Sequence, residues 1–202
     1  DVAGQLLVDA GGDAAIGTTI SGGLSRVTAG GSISAVSMTT TGDTGGEGGG
    51  FFAPVGSQAA LPLLDPSSIE LTAGGDVTLG TLDSAADIRI SANGLTGASS
   101  QILAAGGVTI DTTSDAEFGS LDALQVIITS GGNVTFADSV TTFETSIDAL
   151  GDVDGGSLTS DLSSLSVTSG EGGIALGLID SAGSALFDAA GDIDLDDVST
   201  GF

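Results

Sequence analysis

Cysteine, histidine, lysine, tryptophan and tyrosine are all missing from this sequence. Without cysteine there is no disulfide framework, no thiol nucleophile and no cysteine metal site. Without histidine the usual proton shuttle and imidazole metal ligand are gone. Without lysine there is no amine for a Schiff base. The only large aromatics are seven Phe, so any core must be built from small and branched side chains. Positive charge is nearly absent too: Arg26 and Arg89 stand against 27 acids, for a net charge of −25. Such a surface repels nucleic-acid phosphates and anionic headgroups, which excludes both as partners. No apolar run approaches the roughly 18 residues of a membrane-spanning helix. Proline is confined to three residues between 54 and 66.

What remains is 40% hydrophobic residues and 35 glycines without a G-X-Y period, which points to a folded chain and not to collagen. The scarcity of lysine and the excess of Asp over Glu suit a chain kept dispersed in a salty medium, with a marine or halophilic prokaryotic source as the expectation. The chain begins at Asp1 without a signal-like stretch, as expected of a mature product or an excised piece.

The glycines come in pairs between short alternating runs: "LLVDAGG", "SRVTAGG", "IELTAGG", "QILAAGG", "VIITSGG". After each pair follow two apolar positions spaced by two, such as Val77 and Leu79, Val108 and Ile110, or Val134 and Phe136. Looser copies place Ala14, Ile33, Leu158, Ile174 and Ile193 at the first of these positions. Period-two alternation puts them on one face of a strand. Glycine supplies the positive φ or the close backbone approach needed at a sharp corner. The unit is therefore strand, corner, strand, turn.

The first inward position recurs at irregular intervals, most of them near one coil of a β-solenoid. The longest interval holds residues 40–67, rich in Gly and Pro, which break the pattern. The reading is an all-β chain: a right-handed parallel β-helix, or β-solenoid, of about eight coils. It forms a single domain over 1–202 with an inserted loop at 40–67. A β-sandwich is the alternative. Phe118, Phe136, Phe143 and Phe187 are expected inside the coils.

The units "AGGDVTLGTL" and "SGGNVTFADSV", with "DIRISANG" between them, resemble the repeat region of filamentous-haemagglutinin-like bacterial surface exoproteins. The resemblance implies an elongated, surface-exposed right-handed parallel β-helix and carries no catalytic residue across. That family's secretion domain bears an Asn-Pro-Asn-Gly-type motif, and no Asn-Pro occurs here. The resemblance thus concerns the repeat shaft.

Three sets of residues invite a functional reading. Asp152 and Asp154 in "GDVDGG", with Asp192, Asp194 and Asp196 in "GDIDLDD", cluster hard oxygen donors of the kind calcium takes. Their spacing matches neither the EF-hand loop nor the nonapeptide calcium repeat, and a solvated acidic face is the competing reading. Ser34, Thr78, Thr109, Thr135 and Thr159 occupy the outward position between paired core residues, which predicts one column of hydroxyls. That column would serve as a β-favouring solvent face, a lateral contact or an ice-binding face. Within the insertion, Phe51, Phe52, Leu61, Leu63 and Leu64 form an apolar set for a subunit contact or a self-covering loop.

The expected function is that of an extracellular or cell-surface structural protein of a prokaryote. It would be a subunit or shaft segment of a self-assembling filament or adhesin, with its own copies stacked end to end as partner. The alternatives are an adhesin module holding a glycan or cell surface, and an ice-binding protein. No catalytic residue, no cofactor other than calcium, no nucleic acid and no membrane insertion are expected.

Overall fold

The computed structural model describes residues 4–42, 67–161 and 163–201, and for 138–143 the backbone alone. Among the described residues there is no helix, and 17 strands form one continuous sheet. Every pairing is parallel, and each strand pairs with its equivalent one turn before and one turn after. A sandwich of antiparallel hairpins is therefore overturned. The chain winds into a β-solenoid of about nine turns, in agreement with a right-handed parallel β-helix.

Each coil has three straight faces. The first is a five-residue strand such as Ser25–Ala29, Ile69–Ala73 or Ile88–Ala92. A corner follows, and then an eight-residue strand such as Ile33–Thr40, Val77–Ser84 or Ile174–Ser181. That longer strand bends in its middle, because the pairing skips one residue: Ala35 pairs with Leu79 and Ser37 with Thr81, leaving Val36 and Gly80 at the bend. Its two halves make the second and third faces.

The first inward row after the corner runs Ala14, Ile33, Val77, Leu95, Ala116, Val134, Val153, Ile174, Ile193. Its steps are 18 to 21 residues, except for 44 across the insertion. We number the nine coils by these residues. The expected row of Val77, Val108 and Val134 does not exist. Val108 pairs with Ile88 and Val126 on the first face, and Leu158 pairs with Ile179 on the third. The physical reason is that glycine serves at all three bends of a coil. Gly106-Gly107 marks the entrance to the first face and Gly155-Gly156 the bend between second and third. Counting all glycine pairs as one corner hid Leu95, Ala116 and Val153 and gave eight coils for nine.

Of the two roles expected for the glycines, close approach is the one used. The only described glycine at positive φ is Gly42, at 71°. At the corner between first and second faces, a Cβ on Gly30 would sit 2.6 Å from the carbonyl oxygen of Gly11. Gly74 stacks on Gly30 in the same way. At these two glycines the corners of successive coils lie so close that a Cβ would meet the backbone below, whereas Thr113 and Leu150 hold the same position in other coils.

The interior is a set of stacked rows of Val, Ile, Leu and Ala. Phe118 and Phe136 lie inside as expected, stacked with ring centroids 5.6 Å apart, and Phe187 is partly buried against the same core. The Phe143 side chain lies outside the described residues. Near the corners the interior turns polar: Ser21, Thr40, Ser84, Ser160 and Ser181 are buried in one row. Ser21 and Ser84 donate to the Gly23 and Asp87 carbonyls of the turns beside them, so the buried hydroxyls find acceptors within the bend.

The insertion is narrower at its roots than 40–67 implies. Thr40 ends a strand, Ser67 is buried, and the Thr40 hydroxyl donates to the Ser67 carbonyl. The two ends of the insertion therefore meet on the solenoid wall. Residues 43–66 lie outside the described residues.

Candidate functional site

The most regular polar feature is a ladder at the corner between first and second faces. Its third residue is Asp13, Ser32, Asp76, Gly94, Asp115, Asn133, Asp152, Gly173 or Asp192 in successive coils. Asp13 Oδ1 accepts the Ser32 N–H at 2.8 Å, and Asp115 Oδ1 accepts that of Asn133 at 2.8 Å. Asn133 Oδ1 accepts from Asp152 N–H, and Asp152 Oδ1 from Gly173 N–H, each at 2.8 Å. Where the ladder residue is Gly94, Asn93 takes over, donating to Asp76 Oδ1 at 3.0 Å and accepting from Thr113. These carboxylates and amides satisfy backbone donors at a bend, as helix caps do.

This ladder changes the reading of the five candidate calcium ligands. Asp152 holds the next corner and Asp192 occupies the same corner position two coils on. Asp154 and Asp194 stand in one outward column on the second face with Ala175 between them. Asp196 sits at the bend that the pairing skips. Asp152, Asp154, Asp192 and Asp194 flank a shallow depression of about 430 Å³, floored by Gly173, Ile174 and Ala175. The two pairs are two coils apart, on the order of 10 Å. Among the described residues no three acidic side chains converge on a point where one ion would sit.

The predicted hydroxyl column is divided among three faces. Ser34 and Thr78 are neighbours, and Thr135 follows in the same column after Thr96 and Glu117. Thr109 lies on the first face between Arg89 and Ile127. Thr159 lies on the third face between Val140 and Asp180. The cause is again the uneven placement of the glycine pairs. A flat hydroxyl surface built from those five residues is absent, and with it the observation that suggested ice binding. The set Phe51, Phe52, Leu61, Leu63 and Leu64 lies outside the described residues.

The register also reveals a grouping not legible from spacing. The two bases of the chain fall in one outward column of the first face, on either side of Glu70: Arg26, Glu70, Arg89. Arg26 Nε bonds Glu70 Oε2 at 2.5 Å. The adjacent column beside them reads Thr28, Thr72, Ser91, with no acid. These six positions hold both bases of the chain and a single acid. Their signal in the sequence was only that "SRVTA", "IELTA" and "IRISA" each precede a corner.

The geometry defines the chain as a β-solenoid repeat protein. No family model, curated protein or solved structure matches it.

Proposed function

We propose that this chain is a structural shaft: an extracellular, non-enzymatic β-solenoid that serves as a subunit or segment of a surface filament or adhesin. The observation that carries the reading is the unbroken stacking of about nine like coils, giving a rod roughly 40 Å long at about 4.8 Å per coil. Rows of side chains run the length of that rod and present their edges at both ends. In the last coil the inward residues Ile193 and Val198 are 45% and 46% exposed, whereas Val134 and Val153 in the same row as Ile193 are fully buried. Such apolar rows are continued by any coil stacked on the last one, whether of the same chain or of another copy. The described side chains offer neither imidazole nor thiol, and the depressions between columns are shallow, as suits a body that spans distance. The resemblance to filamentous-haemagglutinin-like shafts supports the same placement at a prokaryotic cell surface.

Negative-stain electron microscopy of the purified chain tests the proposal, across a range of salt and with calcium or a chelator. Rods of one width whose length grows by whole multiples are the expected images. Compact dispersed particles under every condition would sink it.

A further inference from the structure

Building on the shaft reading, on which this rests, we infer that coil 9 of one copy stacks directly on coil 1 of the next, and that two acid pairs brought together there hold the joint apart until they take up protons. Coil 1 is Leu6–Ala10 and Ala14–Ser21; coil 9 is Ala185–Ala189 and Ile193–Thr200. Continuing the parallel register by one coil places Ala185 over Leu6, Phe187 over Val8 and Ala189 over Ala10. On the other strand Ile193 falls over Ala14, Leu195 over Ile16 and Thr200 over Ser21. The apolar rows and the row of inward hydroxyls therefore both run on through the joint. The one inward mismatch is Val198 over Thr19, whose Oγ1 is buried without a partner.

Charge obeys a rule along the rod that the joint breaks. Among the described residues no strand pairing sets an acid against an acid. In one outward column of the first face, Asp9 meets Thr28, Asp111 lies between Ser91 and Thr129, and Asp148 lies between Thr129 and Thr168. Asp188 follows on Thr168. Down the corner ladder Asp13, Asp76, Asp115, Asp152 and Asp192 alternate strictly with Ser32, Gly94, Asn133 and Gly173. Like charges directly opposite one another are destabilising, and the alternation keeps them two coils apart, on the order of 10 Å. Coils 1 and 9 both carry an acid in the column and in the ladder. Stacked, they set Asp188 against Asp9 and Asp192 against Asp13, one coil or about 4.8 Å apart.

The surrounding charges do not relieve these pairs. Asp194 and Asp197 come over Ala15 and Thr18, Asp196 lies at the bend beside Gly17, and Glu171 stands in the corner of coil 8. Arg26 lies diagonal to Asp9, but its Nε is bonded to Glu70. The corners of coils 1, 2, 8 and 9 hold no base at all. Screening decides what can close the joint. At physiological salt it reaches about 8 Å, so acids two coils apart are largely screened while pairs about 4.8 Å apart are not. A proton taken up by each pair removes the like charge. Asp192 is then placed to accept the Asp13 N–H of the next copy, as Asp115 and Asp152 do for the coils after them. Closing the joint binds protons, so by linkage it tightens as pH falls.

The test is sedimentation velocity and light scattering of the purified chain in chelator at about 0.15 M salt, at about pH 7.5 and about pH 4.5. Wild type should stack at least tenfold more tightly at the lower pH. Acid also lowers the charge of the whole rod, so the variants discriminate. D188N/D192N is neutral at the joint and keeps an amide acceptor like that of Asn133. At the higher pH it should stack at least tenfold more tightly than wild type. D111N/D122N removes the same charge from coil 5 and should match wild type. Rods that form equally well from wild type and D188N/D192N at the higher pH would overturn the gate and leave the shaft reading standing. So would a D111N/D122N protein that tightens as much as D188N/D192N. Assemblies that stop at two copies would mean that like ends join, and would overturn the stacking of coil 9 on coil 1. Absence of rods from every protein at both pH values would sink the shaft reading and the gate together.

Discussion

At Gly155, a Cβ would fall under 3.0 Å from three atoms of the Phe136 ring. Phe136 pairs in register with Gly155 on one side and Phe118 on the other, and the two rings are stacked at 8°. The glycine therefore leaves the space that the second ring fills. The ring cannot retreat, because Phe118 is 1% exposed and packed behind it. Gly155→Ala is expected to cost about 1–3 kcal/mol through overpacking. Phe136→Leu should relieve part of that cost, so that the double variant is less destabilised than the two single changes combined. Urea unfolding of the four proteins measures the coupling, and strict additivity would contradict the packing account.

At the scale of a single coil, the corner ladder is the feature that fixes register. Asp152 offers its carboxylate to the Gly173 N–H, while Asn133 does the same for Asp152 with an amide oxygen. An amide thus suffices, and charge is not required. Asp152→Asn should leave stability within about 0.5 kcal/mol, whereas Asp152→Ala removes the acceptor and should cost about 1 kcal/mol. Hydrogen exchange at the Gly173 amide reads the same bond: it should quicken in the alanine variant alone. This ladder explains much of what was and was not legible. The alternation around Val77, Val134 and Ile174 identified strands and the inward face correctly, because period two survives without any knowledge of partners. The coil count came out one short, and the outward columns were misassigned, for a different reason. Glycine recurs at all three kinds of bend, so "AGGV" ending at Val108 and "AGGD" before Val77 look alike while lying at different corners. The residue after the glycines separates them in part: Asp or Asn, as in Asp76, Asn133, Asp152 and Asp192, belongs to the corner ladder. The Arg26–Glu70–Arg89 stack was out of reach, since Arg26 and Glu70 are one coil apart only after the 44-residue step is recognised.

For the whole molecule, the decisive quantity is a net charge of −25 spread over a narrow rod. At about 10 mM salt the screening length is about 30 Å, close to the rod's own length of roughly 40 Å, so acids on nearly every coil repel one another. At 0.15 M it falls to about 8 Å, less than the roughly 10 Å between alternate coils. Screening relieves the compact state more than the unfolded chain, where the same charges are farther apart. The opposing effect is loss of the Arg26–Glu70 attraction, the one ion pair among the described residues. Its partners are 38% and 26% exposed, so it contributes no more than about 1 kcal/mol. Repulsion among many acids outweighs one surface pair, and the urea midpoint should rise steadily from 10 to 150 mM salt. Arg26→Gln should lower the midpoint slightly at each salt concentration without changing that trend. A midpoint that stays flat or falls with salt would mean that the stacked coils, and not their charges, already set the stability at low ionic strength.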